Sequence, residues 1–325
     1  MTTIKWGIIG CGEVTEMKSG PAFNKINNSS LVAVMRRNGE KGKDYALRHN
    51  VPKCYMNADQ LINDPDVNSV YIATPPLFHE QYAIAAMKAG KAVYVEKPMA
   101  VDTGSARRML QVANEYNGKL VIAHYRREHP FFKKIKSLID ENAIGDIRFI
   151  KMDFLRKRMS SENLLIERNS WRVDPKISGG GLFYDLAPHQ LDLMLFFCGE
   201  VEKVSGYSLN RSKTYNADDC TTANMLFKNG TLFNGVWCFD YPAGDTDRVE
   251  IAGSKGTIHF SVFGKQEFIL TTKEKRDTIL FETPMHVQQP LIEKVVTYFL
   301  GNGKNPSSAE NGMRVMELME EITRQ

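Results

Sequence analysis

The stretch Ile4-Lys5-Trp6-Gly7-Ile8-Ile9-Gly10-Cys11-Gly12-Glu13-Val14-Thr15 decides how this chain is read. Its apolar run has the length of a strand and ends at Gly10. That glycine permits a tight turn, and Gly12 lets the backbone approach an anion closely. Glu13 and Val14 then open a helix, whose first N–H groups and positive end suit a pyrophosphate. Thr15 stands where the third glycine of the dinucleotide fingerprint would fall. A glycine turn alone is a weak signal. Between a strand and a helix it becomes a candidate dinucleotide cradle.

The flanking sequence supplies that setting. Residues 31–35, 69–73, 92–95 and 120–123 are further continuous, β-branched apolar runs. Such runs suit strands buried on both faces. Helical patterns over 40–49, 77–89 and 103–116 separate them, the last capped by Asp102 or Thr103. Alternation of this kind predicts a doubly wound parallel α/β sheet over residues 1–124. From residue 125 to 325 the texture is α+β. A helix is expected over 130–140, a strand over 147–155 and an apolar helix over 181–197. Consecutive strands follow over 201–281, with turns at 229–230, 242–245 and 253–256, which predicts a large, mostly antiparallel sheet. Two helices close the chain. The last, about 308–325, opens with Ser307 and Glu310 at capping-box spacing. Its Met313, Met316, Met319 and Ile322 form a core stripe, expected to pack back on the first domain.

Composition narrows the function. Of 325 residues, 42% are apolar and 25% charged, and the net charge is +4. That excess is too small for a polybasic nucleic-acid or membrane binder. No apolar stretch reaches the roughly 18 residues of a membrane helix. The first residues do not read as an export signal, so a cytoplasmic protein is expected. Cys11, Cys54, Cys198, Cys220 and Cys238 show no CxxC spacing and read as reduced, mostly buried thiols rather than disulfide or metal ligands. No His/Asp/Glu cluster has metal spacing, so no metal is expected.

Candidate site residues gather after the strands, where a doubly wound sheet places ligands. The second strand ends in Met35-Arg36-Arg37-Asn38, without the carboxylate that would bind the NAD ribose. A guanidinium pairs with a 2′-phosphate, so NADP(H) is favoured and NAD(H) remains an alternative. Thr74-Pro75-Pro76 with His79, and Glu96-Lys97-Pro98, follow the next two strands and would meet the nicotinamide end. In the second domain Gly179-Gly180-Gly181 precedes Asp185, His189 and Asp192, whose spacing puts all three on one helix face.

These residues resemble the Gfo/Idh/MocA oxidoreductases, which include glucose–fructose oxidoreductase and inositol dehydrogenases. The resemblance rests on GCGEVT, Glu96-Lys97-Pro98, the YRREHP segment from Tyr125 and GGGLFYDLAPHQLD from Gly179, with DRVEIAGSKGTIHF from Asp247 and the C-terminal segment alongside. It implies an N-terminal Rossmann domain and a C-terminal open-faced sheet used for homodimer or homotetramer contacts. It also implies interconversion of a carbinol and a ketone by hydride transfer, with Lys97, Asp185 and His189 as the catalytic set.

The residue types suit that chemistry. Removing hydride from a carbinol carbon requires its hydroxyl proton to leave, and histidine exchanges protons near neutrality. A lysine cation polarises the substrate oxygen without giving up its own proton. His189 is therefore the expected acid/base, Lys97 the orienting cation, and Asp185 a partner for substrate hydroxyls or for His189. Tyr125-Arg126, where the chain enters the second domain, and Trp171-Arg172 offer an aromatic and a cation to a sugar-like polyol. Two other readings fit the same fold: a dinucleotide-sensing regulator without turnover, and an NAD-assisted glycoside hydrolase.

Overall fold

The computed structural model describes residues 2–166 and 170–324. It contains two compact units, the first made of residues up to Tyr125 with Pro284–Met316, the second of Arg126–Thr283 with the residues from Glu317 on.

The first unit holds a six-stranded parallel sheet in the order β3-β2-β1-β4-β5-β6. Its strands are β1 (Ile4–Ile9), β2 (Ser29–Met35), β3 (Lys53–Tyr55), β4 (Ser69–Ile72), β5 (Ala92–Val95) and β6 (Leu120–Ile122). β4 and β5 are buried along their whole length, as continuous apolar runs require. The edge strand β3 was not foreseen. Its three residues, Lys53-Cys54-Tyr55, carry no apolar run and pair only with β2. The order reverses between β1 and β4, so the turns after these strands flank the topological switch point. Around the sheet lie α1 (Glu13–Met17), α2 (Gly39–Arg48), α3 (Ala58–Ile62), α4 (His79–Lys88) and α5 (Thr103–Glu115). Asp102 caps α5 by accepting the Ser105 N–H at 2.6 Å.

The helix Gln289–Phe299 completes this unit. Leu291, Ile292, Val295, Val296 and Phe299 are all buried, a stripe at helical spacing. Phe299 meets Trp6 at 5.6 Å, and Trp6 meets Phe23 at 4.6 Å; Tyr71 stacks on Tyr94 at 5.0 Å. Burying each large apolar side chain contributes roughly 1.5–3 kcal/mol. The Met313, Met316, Met319 and Ile322 stripe is buried as expected. The cap of its helix, Ala309–Thr323, lies one residue later than the spacing predicts. Ser308 Oγ, not Ser307, accepts the N–H of Asn311 at 3.3 Å.

The second unit holds an eight-stranded sheet in the order β14-β13-β12-β11-β7-β10-β9-β8. These are β7 (Ile147–Leu155), β8 (Val201–Leu209), β9 (Cys220–Phe227), β10 (Leu232–Cys238), β11 (Thr246–Gly253), β12 (Gly256–Phe260), β13 (Glu267–Thr272) and β14 (Arg276–Leu280). All neighbours pair antiparallel except the central β7, which runs parallel to β10. One face is covered by α6 (Pro130–Asp140) and the helix Leu182–Cys198, with Phe131, Phe132, Phe183 and Phe197 against Phe260, Phe268 and Trp237. The other face carries exposed Phe149, Tyr207, Leu209 and Leu232. No described helix is long and apolar enough to cross a membrane.

Candidate active site

Gly10 follows β1 with φ of 92°, a left-handed conformation that favours glycine. A Cβ there would lie 2.9 Å from Thr74 Cγ2 and 3.0 Å from the Ala73 carbonyl, so the turn and the segment after β4 touch through the missing side chain. Over Gly12 the space is open, with nothing nearer than 3.9 Å to a Cβ. That opening is what a close-lying pyrophosphate needs. Beside it, Thr74 Oγ1 is buried without a hydrogen-bond partner among the described residues. An orphaned hydroxyl of this kind suits a bound ligand's polar atom. Thr15, in place of a third glycine, is buried; its hydroxyl donates to the Gly12 carbonyl at 2.7 Å, and its own carbonyl accepts from Tyr45 O–H at 2.9 Å. Helix α1 is only five residues long, so the cradle rests on the glycine backbone more than on a helix dipole.

Arg36 is half-buried, and its Nη1 donates to the Cys11 carbonyl at 3.1 Å, which holds the guanidinium against the glycine turn. The exposed Arg37 lies over the Phe78 ring, 5.2 Å from its centroid. Burial pushes the Cys11 thiol up to about 12, which keeps it protonated beside the turn.

Two residues expected at the cofactor make hydrogen bonds within the first unit. Glu96 is buried; its Oε1 accepts Tyr71 O–H and Gln288 Nε2, each at 2.5 Å, and Gln288 Oε1 accepts Tyr94 O–H at 2.8 Å. The carboxylate thus anchors the end of β5 to the interior. His79 is fully buried, with Nδ1 3.0 Å from the Pro98 carbonyl and Nε2 2.8 Å from the Thr74 carbonyl. Burial lowers its pKa, against the pull of those two carbonyls. His79 ties the segment after β4 to the segment after β5 rather than facing a ligand. Lys97, between these anchors, is half-buried and precedes a cis peptide to Pro98. Pro75 sits in the turn between β4 and α4, just before the short turn Pro76–Phe78.

In the second unit, Asp185 and His189 lie one turn apart on the helix Leu182–Cys198. The glycine run before it is dictated by packing. A Cβ on Gly181, whose φ is 79°, would lie 2.3 Å from Ala217 Cβ, and one on Gly180 2.2 Å from the Tyr184 ring. Arg172 Nε donates to Asp185 Oδ2 at 3.0 Å while its guanidinium lies 4.6 Å from the Trp171 ring centroid. Arg172 therefore neutralises and orients Asp185. Asp192, the third member of that helix face, is buried and ion-paired with Arg127, whose Nε donates at 3.1 Å.

His189 is 5% exposed, and its ring meets Phe263 at 5.6 Å. Phe263, which packs on this candidate acid/base, is a residue that sequence reasoning missed. It sits after β12, where Asp247 accepts the backbone N–H groups of Val262 and Phe263 at 3.1 and 2.5 Å. Arg126 reinforces the same loop: its Nη1 donates to the Val262 carbonyl at 2.5 Å and its guanidinium lies over Phe263 at 4.4 Å. The expected substrate contact Arg126 is thus committed to this loop. Tyr125, expected to offer an aromatic face, is buried in the core of the first unit. Only the DRVEIAGSKG segment, which begins at Asp247, pointed to this region.

Comparison with known proteins agrees with both units. Residues 4–124 match the oxidoreductase family with an NAD-binding Rossmann fold, and residues 132–259 match the GFO/IDH/MocA C-terminal domain. The chain is 44% identical over 318 residues to Oxidoreductase P35 of Formosa agariphila, covering 98% of this chain and 97% of that one. It is 32% identical over 296 residues to a trans-1,2-dihydrobenzene-1,2-diol dehydrogenase of Xenopus laevis, covering 88% and 83%. The structure of a levoglucosan dehydrogenase with NADH is similar in fold, with a TM-score of 0.85, 21% identity, and 98% and 96% of the two chains covered.

Proposed function

Because the chain belongs to the Gfo/Idh/MocA family of NAD(P)-dependent oxidoreductases that act on CH–OH groups, we propose that it interconverts a secondary alcohol with a ketone or aldehyde on a sugar, cyclitol or related polyol. The observation that carries this reading is the carboxyl end of the parallel sheet. There the open glycine turn, the orphaned Thr74 hydroxyl and Lys97 follow β1, β4 and β5 in turn. Relatives named for a dihydrodiol and for levoglucosan are consistent with a polyol substrate.

Lys97, Asp185 and His189 form the proposed catalytic set. A bound nicotinamide supplies the acceptor or donor of hydride. Lys97 polarises the substrate oxygen and stabilises its alkoxide character. A His189 ring nitrogen takes the hydroxyl proton on oxidation and returns it on reduction. Asp185, held by Arg172, orients His189 or a neighbouring substrate hydroxyl. Trp171 and Arg172 border this carboxylate and supply the substrate's polar surroundings. Arg36 and Arg37 favour NADP(H), since Arg36 already faces the glycine turn and both cations suit a 2′-phosphate.

The outward face of the eight-stranded sheet is the proposed homo-oligomer contact. A hollow of about 770 Å³ is lined there by Phe149, Met225, Leu226 and Leu232, among others. Light scattering on the purified protein should give a dimer or tetramer mass, and a monomer in Leu232→Lys. A monomeric wild type contradicts this part of the reading.

Nicotinamide absorbance across ketoses, aldoses, anhydro-sugars, inositols and diols, with NADP(H) and NAD(H) in turn, tests the reaction. Turnover of at least one member with NADP(H) is expected. Dinucleotide binding without turnover of any member would favour a sensor instead.

A further inference from the structure

Two of the five cysteines face each other across adjacent strands. Cys238, the last residue of β10, is in register with Cys220, the first of β9. The hydrogen bonds at the two ends of this hairpin fix its phase. Phe239 N–H donates to the Asp219 carbonyl at 2.8 Å, and Phe227 N–H to the Thr231 carbonyl at 2.9 Å. The 219/239 and 227/231 pairs are therefore the hydrogen-bonded kind, and alternation along the ladder makes 220/238 a non-hydrogen-bonded pair. Pairs of that kind bring their Cα atoms to about 4.5 Å, with the side chains close together. A disulfide needs Cα atoms about 4.4–6.8 Å apart.

Side-chain direction agrees. Trp237 and Thr221, next to the two cysteines, are buried, which turns Cys220 and Cys238 to the outward face, at the opposite end of the β9–β10 hairpin from the hollow of the proposed oligomer contact. On that face the equivalent pair Asn224 and Asn234 already joins across the strands, with Nδ2 donating to Oδ1 at 3.0 Å. Both cysteines are free and half-buried, whereas Cys11 and Cys198 are buried.

We propose that Cys220 and Cys238 are a site of reversible oxidation, closing to a cross-strand disulfide when met by a low-molecular-weight disulfide such as oxidised glutathione. One cysteine thiolate attacks a sulfur of the reagent and forms a mixed disulfide, releasing one glutathione thiolate. The second cysteine, as thiolate, attacks the protein sulfur of that mixed disulfide and releases the second. Two protein thiols lose two protons and two electrons, and the reagent gains both as two thiols. A reducing compartment would make the bond transient.

The test treats the full-length protein with oxidised glutathione under native conditions, followed by acid quenching, alkylation and mass analysis. The expected product is lighter by two hydrogens, takes up two fewer alkyl groups, and yields one cross-linked peptide pair joining Cys220 to Cys238. Reduced glutathione in excess restores the starting mass. Cys220→Ser and Cys238→Ser, each checked for native fold by circular dichroism, should give no intramolecular cross-link. Unreacted wild type overturns the proposal, as does a stable glutathione adduct at either position or a cross-link through Cys54.

Discussion

The rings of His189 and Phe263 meet at 76°, with centroids 5.6 Å apart. Phe263 is held for this contact by backbone bonds that Asp247 accepts and by the guanidinium of Arg126 above it. The acid/base candidate thus leans on a loop fixed from two other points of the same unit.

Asp247→Ala should free that loop. We expect kcat to fall roughly tenfold, about 1.4 kcal/mol of transition-state stabilisation, with the dinucleotide Kd changed by less than about twofold. Asp247→Asn should retain more activity, because its amide oxygen still accepts a backbone N–H. Wild-type kcat in Asp247→Ala, on any substrate the enzyme turns over, would remove the loop from the account.

Replacing Arg36 by Gln should weaken NADP(H) binding by about tenfold or more, since a charge-assisted bond contributes roughly 1.5–3 kcal/mol. NAD(H) affinity should stay within about twofold. Fluorescence titration of both cofactors checks this, and an equal loss for both would contradict the phosphate role.

Glu16 gives a pH prediction. Hydrogen bonds from Arg48 and then His49 hold its carboxyl down to about 2. The unfolded chain titrates it near roughly 4.3. A depressed folded value means the stabilisation is complete above the unfolded pKa and is lost as pH falls through about 2. Urea midpoints of wild type and Glu16→Gln should therefore differ at neutral pH and converge across that acid window. A gap independent of pH would contradict the assignment.

Arg127→Met should leave Asp192 buried without its guanidinium partner. Removing one partner of such a pair costs about 3–5 kcal/mol. The double replacement Arg127→Met with Asp192→Leu should recover most of that loss in urea unfolding. No recovery would mean that the buried charge is not what destabilises the single variant.

Most of the strands were legible because burial on both faces writes a continuous apolar run, as in β4 and β5. Lys53–Tyr55 was hidden, because three residues at a sheet edge need no such run. The parallel pairing of β7 with β10 was also hidden, since strand choice depends on packing between segments far apart in sequence. The site shows the same division. The glycine turn, Lys97, Asp185 and His189 stand in local patterns that can be read directly. Glu96 and His79 stood in such patterns too, yet Glu96 Oε1 is taken by Tyr71 and Gln288, and both ring nitrogens of His79 meet backbone carbonyls. A charged residue reads the same in sequence whether it meets a ligand or the interior. Gln288 and Asp247 act over long sequence separations, where no spacing rule applies.

The central claim is that Lys97 and His189 carry the chemistry while the glycine turn carries the dinucleotide. It is tested most directly by nicotinamide absorbance in a single turnover, with Lys97→Met and His189→Ala compared with wild type at saturating cofactor. We expect the rate to fall roughly a hundredfold to ten-thousandfold in each variant, with dinucleotide Kd within about twofold of wild type. A near-normal rate in either variant with cofactor bound would contradict the claim.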